Sequence, residues 1–274
     1  MFFESKAPFF SALTKKGLNV MGACTVQPHE FDSILPNCRS VVVLGNSGRD
    51  LFEHFVDAIK EDHAVLNTSH HPLDDFVEHV LEQAIQAEST CDVMKHGTWI
   101  MCSQKTDVSI NFMSLAERAG LGWKSHLGIL IHPTYGLWIG LRAAFFSTQS
   151  LKTLGIDESV SALKESPCIS CHRPCEKKCH YQAIDENGWN MEACAKGHLL
   201  EDKKNIDPHS SCFASCDARL SCPIGRDFRH GDLQHHYHYH RPSGRRRLAE
   251  ELQVVDHIQG DGPYWHWVFE RGEN

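Results

Sequence analysis

Eight cysteines crowd into the stretch from Cys168 to Cys222, spaced as Cys168-x2-Cys171-x3-Cys175-x3-Cys179, then Cys194, then Cys212-x3-Cys216-x5-Cys222-Pro223. Long apolar runs are scarce there, so the sulfurs must supply what a hydrophobic core cannot, by bonding to each other or to metal. The N-terminal residues Met1 to Pro8 hold no apolar run resembling a signal-peptide core. No segment approaches the roughly 20 apolar residues of a membrane span. A cytoplasmic location is therefore expected, with no membrane association. Disulfides are rare in that reducing compartment, which points the cysteines to metal.

Bacterial ferredoxins hold two cubane clusters with C-x2-C-x2-C-x3-C-P runs, and the fourth cysteine of each run crosses to the other cluster. Here the first run has one extra residue between its second and third thiols, with His180 where proline is usual. The second run is looser but closes on Cys222-Pro223. The crossing rule assigns one 4Fe–4S cluster to Cys168, Cys171, Cys175 and Cys222, and the other to Cys179, Cys194, Cys212 and Cys216. Cys24, Cys38, Cys91 and Cys102 are left as buried small hydrophobes. Two tetrahedral zinc sites are the competing reading, with His172, His180, His198 and His209 as substitute ligands.

The 274-residue chain has the composition of a globular protein with one large core or two modest ones. Helix over 9–17 closed by Gly17, strand over 18–23, strand Val41–Gly45, helices over 51–60 and 73–87, strand over 99–102 and helix over 112–118 follow in turn. A strand over 127–131 completes an α/β pattern through about residue 150. Gly45-Asn46-Ser47-Gly48 reads as a flexible turn, without a G-x-G-x-x-G or Walker signature. The organisation expected is an α/β domain over 1–160, a two-cluster ferredoxin-like domain over 161–232 and a His/Arg-rich extension over 233–274. In that extension His235-His236-Tyr237-His238-Tyr239-His240 reads as an edge strand or adventitious metal binder, and Arg241 with Arg245-Arg246-Arg247 as a basic helix start or tail. The formal charge of −8 argues against non-specific nucleic-acid binding as the main activity.

Three places in order resemble the epoxyqueuosine reductase family, whose cobalamin domain is related to reductive dehalogenases and to the cobalamin-processing CblC protein. They are Leu115-Ala116-Glu117-Arg118-Ala119-Gly120-Leu121-Gly122-Trp123, Leu130-Ile131-His132-Pro133-Thr134-Tyr135-Gly136-Leu137-Trp138, and the eight-cysteine set with its isolated Cys194. The resemblance covers roughly 35–230. It implies an α/β (α+β) nitroreductase-like fold holding a corrinoid, with a C-terminal two-cluster ferredoxin-like domain delivering electrons to cobalt. No Asp-x-His-x-x-Gly lower-ligand motif is present: Asp207-Pro208-His209 has Cys212 at the glycine position, in keeping with a family that holds cobalamin without a histidine ligand.

The resemblance further implies an acidic proton donor shortly before the A-G-L-G helix, where Asp107 is the nearest carboxylate and Thr106 the alternative occupant. Tyr135, His132 and Gly136 are the implied cofactor-binding residues, with Lys105 a further pocket candidate. The expected activity is an iron–sulfur oxidoreductase, corrinoid-dependent, reducing a small molecule or cobalamin itself. Its expected partner is an electron donor such as flavodoxin or ferredoxin. A non-catalytic electron carrier or corrinoid-handling protein is the alternative. The acidity, and a chain that ends soon after the cysteines, argue against tRNA as the substrate.

Overall fold

The structure is a computed structural model describing residues 8–68, 71–87, 95–104, 107–156, 165–195, 216–239 and 244–257. Its centre is a four-stranded, wholly antiparallel sheet. The strands are β1 (Val20–Thr25), β2 (Ser40–Ser47), β3 (Gly97–Met101) and, last in the chain, β6 (Ile139–Ser147), in the order β1-β2-β6-β3. An uninterrupted apolar run in an antiparallel strand requires burial on both faces, and β2 is buried along its whole length. Val42 and Leu44 point into one core with Ala143 and Phe145 of β6. Val41 and Val43 point into another with Ala144 and Phe146. The sheet is thus the middle layer of three.

On the first face lie α1 (Pro8–Thr14), α2 (Asp50–Glu61) and α3 (Pro72–Ala87). Leu51, Phe55 and Ile59 of α2 and Leu73, Val77, Val80 and Leu81 of α3 recur at helical spacing and are buried there. On the opposite face α4 (Phe112–Arg118) inserts Leu115 and Ala116, its start capped by Asn111 Oδ1, which accepts from the Ser114 amide at 3.0 Å. A short hairpin, β4 (Trp123–Lys124) with β5 (Leu130–Ile131), follows α4.

Three expectations change. The turn read at Gly45–Gly48 is strand as far as Ser47, with a register shift between Leu44 and Gly45. Gly45 is there because a Cβ would lie 2.4 Å from the Gly140 carbonyl oxygen, a close approach of backbones that marks a bulge rather than a turn. The strand read over 127–131 shrinks to Leu130–Ile131, since Ser125 to Gly128 turn: the Gly128 amide donates to the Ser125 carbonyl at 3.0 Å with φ at +74°. His240 lies outside the described residues, but the rest of the His/Tyr run is helical. It forms most of α7 (Asp232–Tyr239), which is followed by α8 (Gly244–Glu251).

Both C-terminal helices join the first core: Tyr237, Leu248, Ala249 and Val254 are buried with Phe52, Phe55 and Leu66. Tyr237 stacks at 5.5 Å from Phe52 and 5.7 Å from Phe55. The basic run divides. Arg245 is buried and donates to the Leu66 carbonyl at 3.3 Å, while Arg246 and Arg247 pair with Glu250 and Glu251 on the helix surface. Arg241 lies outside the described residues. Cys24 and Cys38 are buried as expected, Cys102 is exposed, and Cys91 lies outside the described residues. No helix among the described residues is long and apolar enough to cross a membrane.

Candidate metal centre and its junction with the sheet

The first two cysteines sit on consecutive tight turns. The Cys168 amide donates to Ser166 Oγ at 3.3 Å and the Cys171 amide to the Cys168 carbonyl at 3.4 Å. Arg173, in a left-handed conformation at φ 49°, then turns the chain into α5 (Pro174–Lys178), a helix opened by proline at its first position. That helix carries Cys175 and ends on Cys179. Far downstream, Cys216 caps α6 (Asp217–Leu220), which packs on α5. The Cys222 amide closes the turn on the Arg219 carbonyl at 3.2 Å.

These turns bring Cys168, Cys171, Cys175 and Cys222 to the wall of one cavity, the grouping that the crossing rule assigned. The sheet side contributes the opposite wall, where Leu127, Ile131 and Leu137 are apolar and Ser125 is held by its own bond to the Ile129 carbonyl at 2.7 Å. Burial raises the Cys222 thiol, with Cys168 and Cys171 adding to the rise, and pushes Cys175 up to about 11. In the second group burial raises Cys216, with Cys194 and Cys179 as neighbours. Any metal taken up here must displace thiol protons. Cys212 lies outside the described residues, as do His198 and His209. His180 Nε2 is paired with Asp217 Oδ2 at 3.0 Å and His172 is exposed. Among the described residues no three His, Cys, Asp or Glu side chains converge closely enough to hold a single metal ion.

The residues expected at a corrinoid form a junction between the sheet and the cysteine segment. His132 and Gly136 bracket a tight turn bonded in both directions. His132 Nδ1 accepts from the Thr134 and Tyr135 amides at 3.0 and 3.2 Å, and burial lowers its pKa to about 4, so the ring is neutral at physiological pH. Tyr135 is 3% exposed, hydrogen-bonded to Ser47 and packed edge-on against Phe228 at 4.6 Å. Gly136 and Gly225 both have positive φ and press backbone to backbone: a Cβ on Gly136 would lie 2.1 Å from the Ile224 carbonyl oxygen, and one on Gly225 2.2 Å from that of Tyr135. Asp107 is exposed, in the segment between β3 and α4. Lys105 and Thr106 lie outside the described residues.

The sequence reading passed over a second junction. Trp138 is 1% exposed at the foot of β6, with the Arg219 guanidinium 4.6 Å from its ring centre. Arg219 Nη2 donates to the Leu137 carbonyl at 2.6 Å. The His230 ring stands 5.1 Å from Trp138, 5.7 Å from His235 and 5.4 Å from His238. Burial lowers the His230 and His235 pKa values, with Arg219 adding to both, His235 to about 4. The one sequence signal for it, His235 and His238 three apart, points to a shared face only in a helix, and the strand reading of that run hid it.

No family model matches the chain. In sequence the chain is similar to the epoxyqueuosine reductase of Listeria monocytogenes, 25% identical over 155 residues, which is 53% of this chain and 36% of that protein. The chain thus matches little more than a third of that relative's length. In structure it is similar to an epoxyqueuosine reductase solved with an epoxyqueuosine-modified tRNA-Tyr stem loop, with a TM-score of 0.50 at 14% identity over 82% of this chain and 66% of that one. It is similar to the same degree, TM-score 0.50 at 11% identity, to the C. elegans B12-trafficking protein CblC, over 92% of this chain and 96% of that one. The mixed α/β fold is shared with these proteins, and the resemblance drawn from the three motifs stands. One expectation falls. The argument against tRNA rested on bulk acidity and on a chain ending soon after the cysteines, yet a reductase of this fold has been solved with a tRNA stem loop; phosphate contacts are made by local charge, on which a chain's total says little.

Proposed function

We propose that the chain is an iron–sulfur oxidoreductase of the epoxyqueuosine reductase kind, with two 4Fe–4S clusters and a corrinoid. The observation that carries this reading is the cavity walled by Cys168, Cys171, Cys175 and the distant Cys222. Four thiols around an open volume suit a polynuclear cluster. A zinc ion, with Zn–S bonds of about 2.3 Å, draws its sulfurs to one point. Cys179 and Cys194 are near enough to Cys216 to raise its pKa, and Cys212 is the proposed fourth member of that set. The clusters supply one-electron transfer when bound. The chain's own contribution is to deprotonate and orient the thiols, to keep water from the cavity with Leu127, Ile131 and Leu137, and to lock the cysteine segment to the sheet through Tyr135, Gly136 and Gly225.

The corrinoid half of the reading rests on the fold shared with CblC and with epoxyqueuosine reductases, not on Tyr135 or Gly136, whose packing is already complete at the junction. His132 offers no free Nδ1 lone pair, because that atom accepts two backbone amides. Asp107 is the proposed proton donor, from its place before α4. The division at about residues 160 and 232 remains the proposed organisation, with the helices after 232 packed on the sheet. Epoxyqueuosine in tRNA and small electrophiles are both substrates this reading admits, with a flavodoxin or ferredoxin as electron source. Corrinoid handling without turnover is the second reading, supported by the fold shared with the trafficking protein CblC at a TM-score of 0.50.

Anaerobic reconstitution with iron and sulfide, then cobalamin, tests both halves. The expected result is a brown protein that bleaches with dithionite, holds about eight iron and eight sulfide, and shifts cobalamin to its base-off spectrum. A colourless protein carrying stoichiometric zinc rejects the clusters, and an unchanged cobalamin spectrum rejects the corrinoid. Turnover of an epoxyqueuosine-containing stem loop by the loaded protein, abolished by Asp107→Asn with corrinoid binding kept, separates reductase from handler.

A further inference from the structure

The helical turn α6 leads from Cys216, of the second cysteine set, towards Cys222, of the first, so it is the link in the chain between the two sets. Arg219 lies midway, three residues from each. Its guanidinium is fixed on two sides, by the Trp138 ring at 4.6 Å and by the Leu137 carbonyl at 2.6 Å. Trp138 and Leu137 are each 1% exposed, and Leu137 packs with Cys222 and Cys168. A second cation encloses the same turn: Arg229 Nη2 donates to the Leu220 carbonyl. An arginine stays protonated in proteins, so Arg219 and Arg229 hold permanent positive charge at this turn against an apolar wall, while the Asp217 carboxylate at its start is engaged by His180 at 3.0 Å.

Resting on the two-cluster reading, we propose that Arg219 is a positioning residue that raises the reduction potential of the flanking clusters. A cluster held by four thiolates is an anion, and reduction adds one negative charge. A fixed cation beside it stabilises the reduced form more than the oxidised one, and does so most where apolar neighbours keep water away. Stacking on Trp138 prevents the side chain from swinging to solvent, so its charge acts at constant distance. Structural tethering alone would call only for the bond to Leu137. The stacking against a fully buried indole fixes where the charge sits.

Redox titration followed by electron paramagnetic resonance, on the anaerobically reconstituted full chain, tests this together with iron content and thermal stability. Arg219→Gln keeps hydrogen-bonding capacity and removes the charge. It is expected to lower the midpoint potential of at least one cluster at unchanged iron content, and Arg219→Lys is expected to restore most of the drop. Wild-type potentials in a fully loaded Arg219→Gln protein overturn the proposal, as does a drop of equal size in Arg219→Lys. If Arg219→Gln fails to load, the Lys variant decides: potentials near wild type support the charge role, and a drop rejects it. A purely structural role would lower the melting temperature and leave the potentials in place. Absence of any cluster signal in wild type is a different failure, which rejects the two-cluster reading and this inference together.

Discussion

Gly136 and Gly225 show how much can hang on two missing methyl groups. Each takes a positive φ, and each has a backbone carbonyl where a Cβ would go. Gly136→Ala must push Ile224 away, and Ile224 is two residues from Cys222. The expected outcome combines a stability loss on the order of 1–3 kcal/mol, measured by denaturant unfolding, with a fall in iron bound on reconstitution as Cys222 withdraws from the cavity. An Ala variant that loads iron as wild type does would show the junction to be slack. In the sequence, the glycines at 136 and 225 were visible but their pairing was not, because nothing local links two glycines 89 positions apart. The proposed cysteine grouping could be drawn for the opposite reason. Cluster chemistry imposes spacing on the chain directly, so Cys168, Cys171, Cys175 and Cys222 could be grouped before any fold was known.

Elements with their own periodicity were likewise legible, and those shaped by their neighbours were not. α2, α3 and α4 follow from apolar residues at helical spacing, and β2 from its β-branched run. The segment 232–239 misleads because His and Tyr alternate as on a strand edge, yet tertiary packing overrides the alternation: Tyr237 fills the gap between Phe52 and Phe55. Tyr237→Ala is therefore expected to destabilise the protein by about 3–5 kcal/mol, as for other large aromatic truncations in a core, whereas the same change on an exposed strand edge would cost a fraction of that. Denaturant midpoints at constant slope decide between the two. The β4–β5 hairpin was missed because Leu127 and Ile129 look like strand residues. They are apolar because they pack beside the cavity wall.

At the scale of the whole molecule, three half-buried imidazoles tie stability to pH. His132 and His235 titrate near pH 4, and His230 is also lowered, all primarily through burial. An unfolded histidine takes up its proton near pH 6.5. Below that value the unfolded state therefore binds protons that the native state refuses, and stability falls with pH from about 6.5 down to about 4. Screening by solvent at the partly exposed rings limits the combined loss to the order of a few kcal/mol. Melting temperatures across that window should fall, and His230→Asn should flatten the curve; a pH-independent melting temperature would place the rings in contact with water. The closing cysteine also has a consequence in time. Cys222 completes a cavity that Cys168 begins, so a ribosome must deliver the chain through Cys222 before that site can exist. On the proposed cluster reading, iron delivery then waits for Cys222, and the three earlier thiols spend that interval exposed to oxidants, which makes oxygen tension during expression a determinant of yield.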